Sequence, residues 1–283
     1  MESEMKLRLP EAPERIEAGK SLAGVLGEEA VACLAHNIGQ VHRGWKRVAF
    51  ARAACDGLKP LGLMDRGRHL ARVLRAHLPE NYSEALGILV DSLTPPNKET
   101  GGHGLAVFFY LPHSFFIAEY GLDPSGNGGE DPFEASMQAQ YELTRRFTAE
   151  FSVRPFLIRR QRETLARLKG WTKDADPHVR RWCSEGTRPR LPWGLRLAAF
   201  VRDPRPCLPI LEALKDDPEL YVRRSVANHL GDIGKDHPDL LLEVCGRWLK
   251  GASSERRWLI RHALRYPDKK GNLRARELRR AAG

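Results

Sequence analysis

The chain has 283 residues, of which 42% are hydrophobic, and it carries a formal net charge of +10. This length and apolar content allow a folded core without disulfide bonds or structural metals. A membrane-spanning helix requires about 18 consecutive apolar residues, and no apolar run in the sequence is that long. The first residues also lack the apolar stretch of a signal peptide. We therefore expect a cytoplasmic protein with no membrane partner, and a monomer.

The cysteines form no recognisable disulfide or ligand motif. They are scattered, and no two have the Cys-x-x-Cys spacing: Cys33, Cys55, Cys183, Cys207 and Cys245. An odd number of isolated cysteines is typical of reduced thiols and argues against a structural zinc site. A phosphate-binding Walker loop, a dinucleotide-binding glycine motif and a His-Glu-x-x-His motif are also missing from the sequence. We therefore expect neither a metal nor a nucleotide cofactor.

The N-terminal part of the chain shows helical periodicity. Apolar residues recur at helical spacing around residues 45–53, 70–78 and 85–93. Two loops rich in proline and glycine follow, at 91–104 and 121–132, and the second precedes a long predicted helix through 133–151. We find no convincing β-alternation, so the sequence predicts an all-α protein.

The C-terminal part repeats itself. Val-Arg-Arg triplets begin at Val179 and Val222, which are 43 residues apart, and a looser third copy begins at Ser253. Two amphipathic helices in each unit of about 40 residues are typical of HEAT or armadillo-like repeats, which stack into a solenoid. We therefore predict a right-handed α-α superhelix with a basic concave face. It forms a single domain, 1–283, in which 1–104 is an N-terminal helical part and 105–283 the repeat core, with the active site and a basic tail.

Positive charge is concentrated in one stretch. Residues 154–196 contain twelve Lys or Arg but only four acids, and ten of the twelve are arginines. Arginine binds phosphate oxygens well, so this stretch favours a polyanionic partner. Five arginines are expected to contact a phosphate backbone: Arg180, Arg188, Arg190, Arg223 and Arg224. The alternatives are a solvated basic surface, or Asp–Arg bridges between repeats.

Several motifs resemble those of one family. Three segments and the helix around Trp248 are similar to the AlkC-type DNA alkylation repair glycosylases: "FTAEFSVRPFL" (147–157), "VRRWCSEGTRPRLPWG" (179–194) and "DPRPCLPILEALKDDPELYVRRSVANHLGDIGKDHPDL" (203–240). These glycosylases belong, with the AlkD relatives, to a HEAT-like-repeat superfamily. The resemblance implies a monofunctional glycosylase that removes cationic N-methylated bases from duplex DNA without flipping them into a deep pocket. It implies 3-methyladenine as the chief substrate, with 3-methylcytosine and 1-methyladenine as further candidates.

The same resemblance implies site residues. The family's active-site carboxylates fall on Glu150, Glu185 and Asp232, and its lesion-binding side chains on Trp193 and Arg181. The chain departs from the family pattern in three respects, one of which is a longer loop at 121–132. It ends in a basic tail where many members carry an immunoglobulin-like domain, so we expect a form without that domain. Three residues near Asp232 also differ from the expected asparagines and alanine: His229, Gly231 and Gly234.

The residue types suit this chemistry. A base methylated at N3 is cationic and already a good leaving group, so its departure requires no general acid. Hydrolysis passes through an oxocarbenium-like sugar, which an ionised carboxylate stabilises. The arginines around Glu185 favour its ionised form, and an indole such as that of Trp193 attracts a cationic base.

Each carboxylate also has a purely structural interpretation. Glu185 could simply pair with Arg181 or Arg188. Glu150, if helical, could pair with Arg146 four residues earlier. Asp232 could serve as a hydrogen-bonding residue between repeats.

The aromatic and histidine residues have structural interpretations as well. Trp193 could be a core residue, although its neighbours are polar. Three tryptophans match helical apolar stripes and are expected in the core: Trp182, Trp248 and Trp258. Three histidines show no ligand spacing and are expected at the surface or at helix caps: His178, His229 and His237.

Two other functions remain open from the sequence. One is a HEAT-repeat module that binds DNA or protein but has no catalytic activity. The other is a scaffold whose basic face binds an acidic protein. A steep salt dependence of DNA binding distinguishes both DNA-binding hypotheses from the scaffold, and base release distinguishes the glycosylase from the inactive module.

Overall fold

The computed structural model describes residues 7–16, 19, 21–101 and 104–283. These residues form helices, turns and irregular segments, without a strand. Within the same ranges, no helix combines the length and the hydropathy that crossing a membrane demands. The all-α prediction is confirmed.

The chain divides into two compact units, residues 1–152 and 153–283, whereas the sequence suggests a division within one domain near residue 104. The first unit contains six α-helices among its described residues: α1 (Glu28–Val41), α2 (Arg47–Cys55), α3 (Leu63–His77), α4 (Tyr82–Asp91), α5 (Leu111–Tyr120) and α6 (Phe133–Thr144). It also contains 3₁₀ turns at Leu22–Leu26, Ala106–Tyr110 and Pro124–Asn127.

The second unit contains ten α-helices and the 3₁₀ turn Arg205–Cys207. The helices are α7 (Val153–Arg159), α8 (Gln161–Trp171), α9 (Pro177–Glu185), α10 (Ala198–Arg202), α11 (Leu208–Leu214), α12 (Leu220–Asp236), α13 (Pro238–Leu249), α14 (Ser254–Ala263), α15 (Arg265–Lys269) and α16 (Leu273–Ala281).

The early helical predictions are confirmed, but the predicted helix through 133–151 is too long. The periodic stretches form α2, α3 and α4, while α6 ends at Thr144. Beyond it, the backbone carbonyls of Arg145 and Arg146 accept hydrogen bonds from the backbone and side-chain amides of Asn97. These tertiary hydrogen bonds satisfy carbonyls that a longer helix would have used, and they lead the chain into the turn that carries Glu150.

Helix α12 is central to the second unit. It packs against α9 on one side, against α14 on another, and against its chain neighbour α13. Its apolar stripe is fully buried, at Val222, Val226, Leu230 and Ile233. Successive repeats thus bury their apolar faces against one another, as the predicted helical repeat requires.

Asp–Arg bridges between repeats are present, as the alternative interpretation of the arginines allows. Arg180 of α9 donates two hydrogen bonds to Asp217, and Arg256 of α14 donates two to Asp216. Both aspartates lie in the turn before α12. Arg180, the first arginine of the Val-Arg-Arg motif at Val179, therefore forms an ion pair between repeats.

The tryptophan and histidine predictions had mixed outcomes. Trp182 and Trp248 are buried as expected, but Trp258 is only half-buried and stacks on His262, with 5.0 Å between ring centroids. His237 lies at the junction of α12 and α13, as a cap residue should. His178 and His229 are buried, at 2% and 0% exposure, so their expected surface position is wrong. Packing between helices, which single-residue polarity does not report, covers both rings.

Candidate active site

Helix α9 presents Glu185 at its C-terminal end. The helix begins after Asp176, whose carboxylate accepts a hydrogen bond from the backbone amide of His178, and Pro177 occupies its first turn. It ends at Glu185, and Gly186 caps it with helical dihedral angles and a hydrogen bond from its backbone amide to the carbonyl of Trp182. A Cβ on Gly186 would lie 2.8 Å from Val153 Cγ1, so only glycine allows α7 to approach this closely.

Helix α12 contributes the partners of Glu185. Ser225 and Asp232 are seven residues apart, which is close to two helical turns, so both side chains lie on one face. The Ser225 hydroxyl donates to Glu185 Oε2 at 2.6 Å, across the contact between α9 and α12. Ser225 is not among the residues predicted from sequence, and only the packing of the two helices reveals it.

Arg188 connects two buried carboxylates. Its Nη1 donates to Glu185 Oε1 at 2.6 Å, and its Nε donates to Asp232 Oδ2 at 2.8 Å. Lys235 donates to the other oxygen of Asp232 at 2.9 Å. Glu185 is 5% exposed, Asp232 2% and Arg188 8%. We call Glu185, Arg188, Ser225 and Asp232 the carboxylate network.

The positive charges around Glu185 keep it ionised. Burial by itself would raise the pKa of this carboxyl group. The charges of Arg181 and Arg188, together with hydrogen bonds from Ser225 and Arg188, oppose burial and hold the pKa below its ordinary value. Arg181 Nη2 lies 3.5 Å from Glu185 Oε1, and its guanidinium stands 5.4 Å from the centroid of the Tyr221 ring. A negative charge is thus maintained in a site that is nearly closed to water.

This arrangement predicts a loss of stability in acid. Because the pKa of Glu185 is lower in the folded protein than in the unfolded chain, its ionisation stabilises the fold above the ordinary value of 4.5. That contribution is lost as the pH falls below 4.5 toward the lower folded pKa. Chemical denaturation at a series of pH values should show a steeper acid decline for the wild type than for Glu185→Gln. Parallel curves for the two proteins would contradict this prediction.

Four of the five arginines expected at DNA phosphates have protein partners. Arg180 pairs with Asp217, and Arg223 donates to the backbone carbonyls of Asp217 and Pro218. Arg188 lies within the carboxylate network, and Arg190 forms a two-bond pair with Asp236. The structure therefore gives these four arginines internal contacts that charge counting does not anticipate.

Arg224 differs from the other four, since its side chain is exposed on α12. The phosphate contacts stay predictions, and Arg224 is the most accessible residue of the set.

Trp193 is not a core residue. It is 57% exposed and has a φ of 62°, which makes it the only non-glycine residue with positive φ within the described ranges. A bulky side chain in the left-handed region costs about 1–2 kcal/mol, and such strain concentrates at functional sites. The conformation therefore supports a binding role for this indole, which the family resemblance predicts.

A buried arginine organises the segment that carries Trp193. Arg154 of α7 is 0% exposed, and its guanidinium donates to the carbonyls of Gly186, Arg188 and Leu195. These carbonyls bracket the irregular segment between α9 and α10. Charge counting treats Arg154 as one more cation of the basic stretch, because an arginine bound to backbone carbonyls leaves no motif.

Glu150 lies in the first unit, in the turn after α6. It is 9% exposed, and its Oε2 accepts a hydrogen bond from the Thr148 hydroxyl at 2.8 Å. Arg146, its candidate partner from the sequence, pairs with Glu142 on α6. Glu150 is thus a largely buried carboxylate on a turn rather than a helical surface acid.

His229 is a buried residue of α12 next to the carboxylate network. Its Nδ1 lies 3.0 Å from the carbonyl oxygen of Ser184, the residue before Glu185. Burial, and after it the charge of Arg188, lowers the pKa of His229 to about 4, so the ring is neutral at pH 7 and donates from Nδ1. The described residues include no group of three or more His, Cys, Asp or Glu arranged to hold a metal ion.

Comparison with known proteins identifies a family model, a curated relative and a solved structure that are similar to this chain. Residues 147–266 match the family model for "DNA alkylation repair enzyme". The uncharacterized protein YhaZ of Bacillus subtilis strain 168 is 38% identical over 255 residues, which are 90% of this chain and 66% of that protein. The chain therefore spans slightly less than two thirds of this relative.

A solved structure is also similar, that of "Pseudomonas fluorescens alkylpurine DNA glycosylase AlkC bound to DNA containing an abasic site analog". Its TM-score is 0.80 at 36% sequence identity, and the match covers 92% of this chain and 68% of that one.

Proposed function

The chain belongs to the family of DNA alkylation repair enzymes, and from this premise we propose that it is a monofunctional DNA glycosylase. It hydrolyses the N-glycosidic bond of cationic N-alkylated bases in duplex DNA, chiefly 3-methyladenine, with 3-methylcytosine and 1-methyladenine as further candidates. The family resemblance predicted from the motifs at 147–157, 179–194 and 203–240 is confirmed. The alkylpurine and DNA named for the Pseudomonas structure support the substrate class.

One observation carries this proposal. Glu185 is kept ionised in a nearly dry site by two arginines and a hydroxyl. Such a fixed negative charge suits a reaction in which positive charge develops on a sugar, because a preorganised charge needs no reorganisation during the reaction.

The reaction requires no external acid. The bond between C1′ and the base nitrogen breaks, and its electron pair leaves with the base and cancels the positive charge of that base. The sugar becomes oxocarbenium-like, and Glu185, with Asp232 as a further carboxylate, stabilises it. A water molecule then adds at C1′ and loses a proton to a carboxylate or to solvent.

The remaining residues bind the substrate. Trp193 packs against the cationic base or its sugar, and Arg181 supports the site from α9. The family resemblance implies that the base is not flipped into a deep pocket. The protein acts as a monomer on duplex DNA without a cofactor, in the cytoplasm and in association with the nucleoid.

A second candidate is a DNA-binding module without catalysis. Both oxygens of Glu185 accept hydrogen bonds and the residue is only 5% exposed, as in a structural ion pair. In that case, the carboxylate network would hold α9 and α12 together and do nothing more.

Base release decides between the two candidates. Duplex DNA treated with a methylating agent is incubated with the protein, and free bases are separated and quantified. Release of 3-methyladenine by the wild type is expected. Duplex binding without any base release would contradict the glycosylase and favour the binding module.

A further inference from the structure

A cleft of about 230 Å³ opens in the second unit beside Asp232. Helix α12 forms one wall, and α14 with the start of α15 forms the other. Six of its lining residues matter here: Asn228, Gly231, Lys235, His262, Arg265 and Tyr266. None of these six is predicted as a site residue from the sequence.

The wall formed by α14 and α15 has a defined polar arrangement. Arg265 donates from Nη1 to Nδ1 of His262 and from Nη2 to Oδ1 of Asn228, each at 3.2 Å. The same Asn228 oxygen lies 3.0 Å from His262 Nε2, which donates to it because Nδ1 accepts. Trp258 stacks on the imidazole ring. The ring is therefore neutral and fixed in one tautomer.

The cleft carries a positive charge that its own residues do not cancel. Arg188 and Lys235 both bind Asp232, and Arg188 also binds Glu185, so these two cations are balanced by two carboxylates and the excess charge comes from other residues. In the part of the chain that the structure describes, both hydrogen bonds of Arg265 go to neutral acceptors. Arg224 lies close enough for its charge to act on His262. An anion therefore fits this cleft, whereas a cationic base does not.

The cations also extend beyond one small ligand. Arg224, Asn228, Gly231 and Lys235 follow one another at helical spacing, so they share a face of α12. From Arg224 to Lys235 this face runs about 16 Å along the helix. Arg224, Lys235 and Arg265 are exposed along it. A row of this length suits successive phosphates of a strand better than a single free phosphate.

We propose that this cleft binds a phosphodiester group of a DNA strand and so holds the backbone beside the carboxylate network. The guanidinium of Arg265 donates hydrogen bonds to the phosphate oxygens, and Lys235 and Arg224 neutralise the neighbouring phosphates of the strand. The proposal rests on DNA being the partner, as in the proposed function, but not on catalysis.

Gly231 allows a sharp test, because a Cβ there would approach nothing more closely than Ala263 O at 3.8 Å. Gly231→Glu and Gly231→Gln place side chains of the same size at the cleft and differ only in charge. Gly246→Glu and Gly246→Gln form the matched control pair on α13, where the nearest atom, Leu278 Cδ2, is also 3.8 Å away.

The measurement is the affinity for a labelled duplex containing an abasic-site analogue, over a series of salt concentrations. Gly231→Glu should bind about tenfold more weakly than Gly231→Gln at low salt, because a like charge faces the phosphate. The slope of log affinity against log salt should become shallower by about 0.9 for each phosphate that the protein no longer neutralises. The two Gly246 variants should bind equally. Should Gly231→Glu not fold, Arg265→Gln is expected to weaken binding and flatten the slope in the same way.

Equal affinities of Gly231→Glu and Gly231→Gln for the duplex would overturn the proposal. Inorganic phosphate alone is the second probe. If it binds to the wild type and not to Gly231→Glu, while duplex binding is equal in both Gly231 variants, the cleft takes free phosphate instead of DNA. Base release by the wild type is measured in parallel. A charge effect on duplex binding without base release would leave the cleft proposal standing and reject only the glycosylase.

Discussion

Replacing Glu185 with glutamine is expected to slow the release of methylated bases by about 100- to 1,000-fold, the usual loss when one preorganised electrostatic group is removed. The amide retains the size of the carboxylate but not the charge that would face the sugar in the transition state. Duplex binding should change little, because Glu185 is buried and its two oxygens are already bound by Arg188 and Ser225. Single-turnover base release and duplex affinity, measured on the same preparation, test both expectations.

The control is Glu277→Gln, the same change at an exposed position on α16. It should release bases at the wild-type rate. Since Glu185→Gln also weakens the hydrogen bonds with Arg188 and Ser225, about 1–3 kcal/mol of stability is at risk, and the assay is run well below the unfolding temperature. Wild-type base release by Glu185→Gln would remove this residue from the chemistry.

Replacing Arg188 with methionine is expected to lower the free energy of unfolding by about 3–5 kcal/mol, because it leaves Glu185 and Asp232 buried without their shared cation. The sequence predicts uniformly weaker DNA binding for a change at this position. The structure instead makes Arg188 part of the protein interior, so stability is the primary quantity to measure. Chemical denaturation of the variant and the wild type at pH 7 provides it.

Two further variants separate this effect from a general loss of packing. Arg190→Met removes the nearby, more exposed pair with Asp236 and should change stability far less. The triple variant Glu185→Gln, Arg188→Met, Asp232→Asn removes the buried charges together and should recover much of the lost stability without recovering base release. A triple variant as unstable as Arg188→Met would show that packing, rather than uncompensated charge, explains the loss.

The two expected results concern different roles of one network. Arg188 stabilises the fold and the ionised state of Glu185 at the same time, so its loss should affect both stability and chemistry. Glu185 contributes less to the fold than Arg188 does, since Arg188 retains Asp232 when Glu185 is neutral. Comparing the two variants therefore separates the role of Arg188 in keeping Glu185 ionised from the role of the Glu185 charge in base release.

The linear order of residues is enough to predict the helical class, the repeat and the family. These properties depend on near neighbours: apolar spacing selects helices, Asp176 and Pro177 begin α9, and the recurrence at Val179 and Val222 marks the repeat. Glu185 is also identifiable in this way, because a single acid among arginines is evident along the chain.

Which charges meet depends instead on helix packing. Glu185 and Ser225 are 40 residues apart, and Arg188 and Asp232 are 44 apart, so only the packing of α12 on α9 brings them together. The same packing pairs Arg180 with Asp217, 37 residues away. A linear charge count cannot separate such paired arginines from exposed ones, because both have the same composition.

Backbone geometry likewise depends on long-range contacts. Helix α6 ends at Thr144 because Asn97 binds the following carbonyls, and Trp193 is exposed in a left-handed conformation on a segment held by Arg154. The helix propensity of a residue is a local property. Where a helix ends, and which residues adopt strained backbone angles, depends on hydrogen-bond partners that are distant in the sequence.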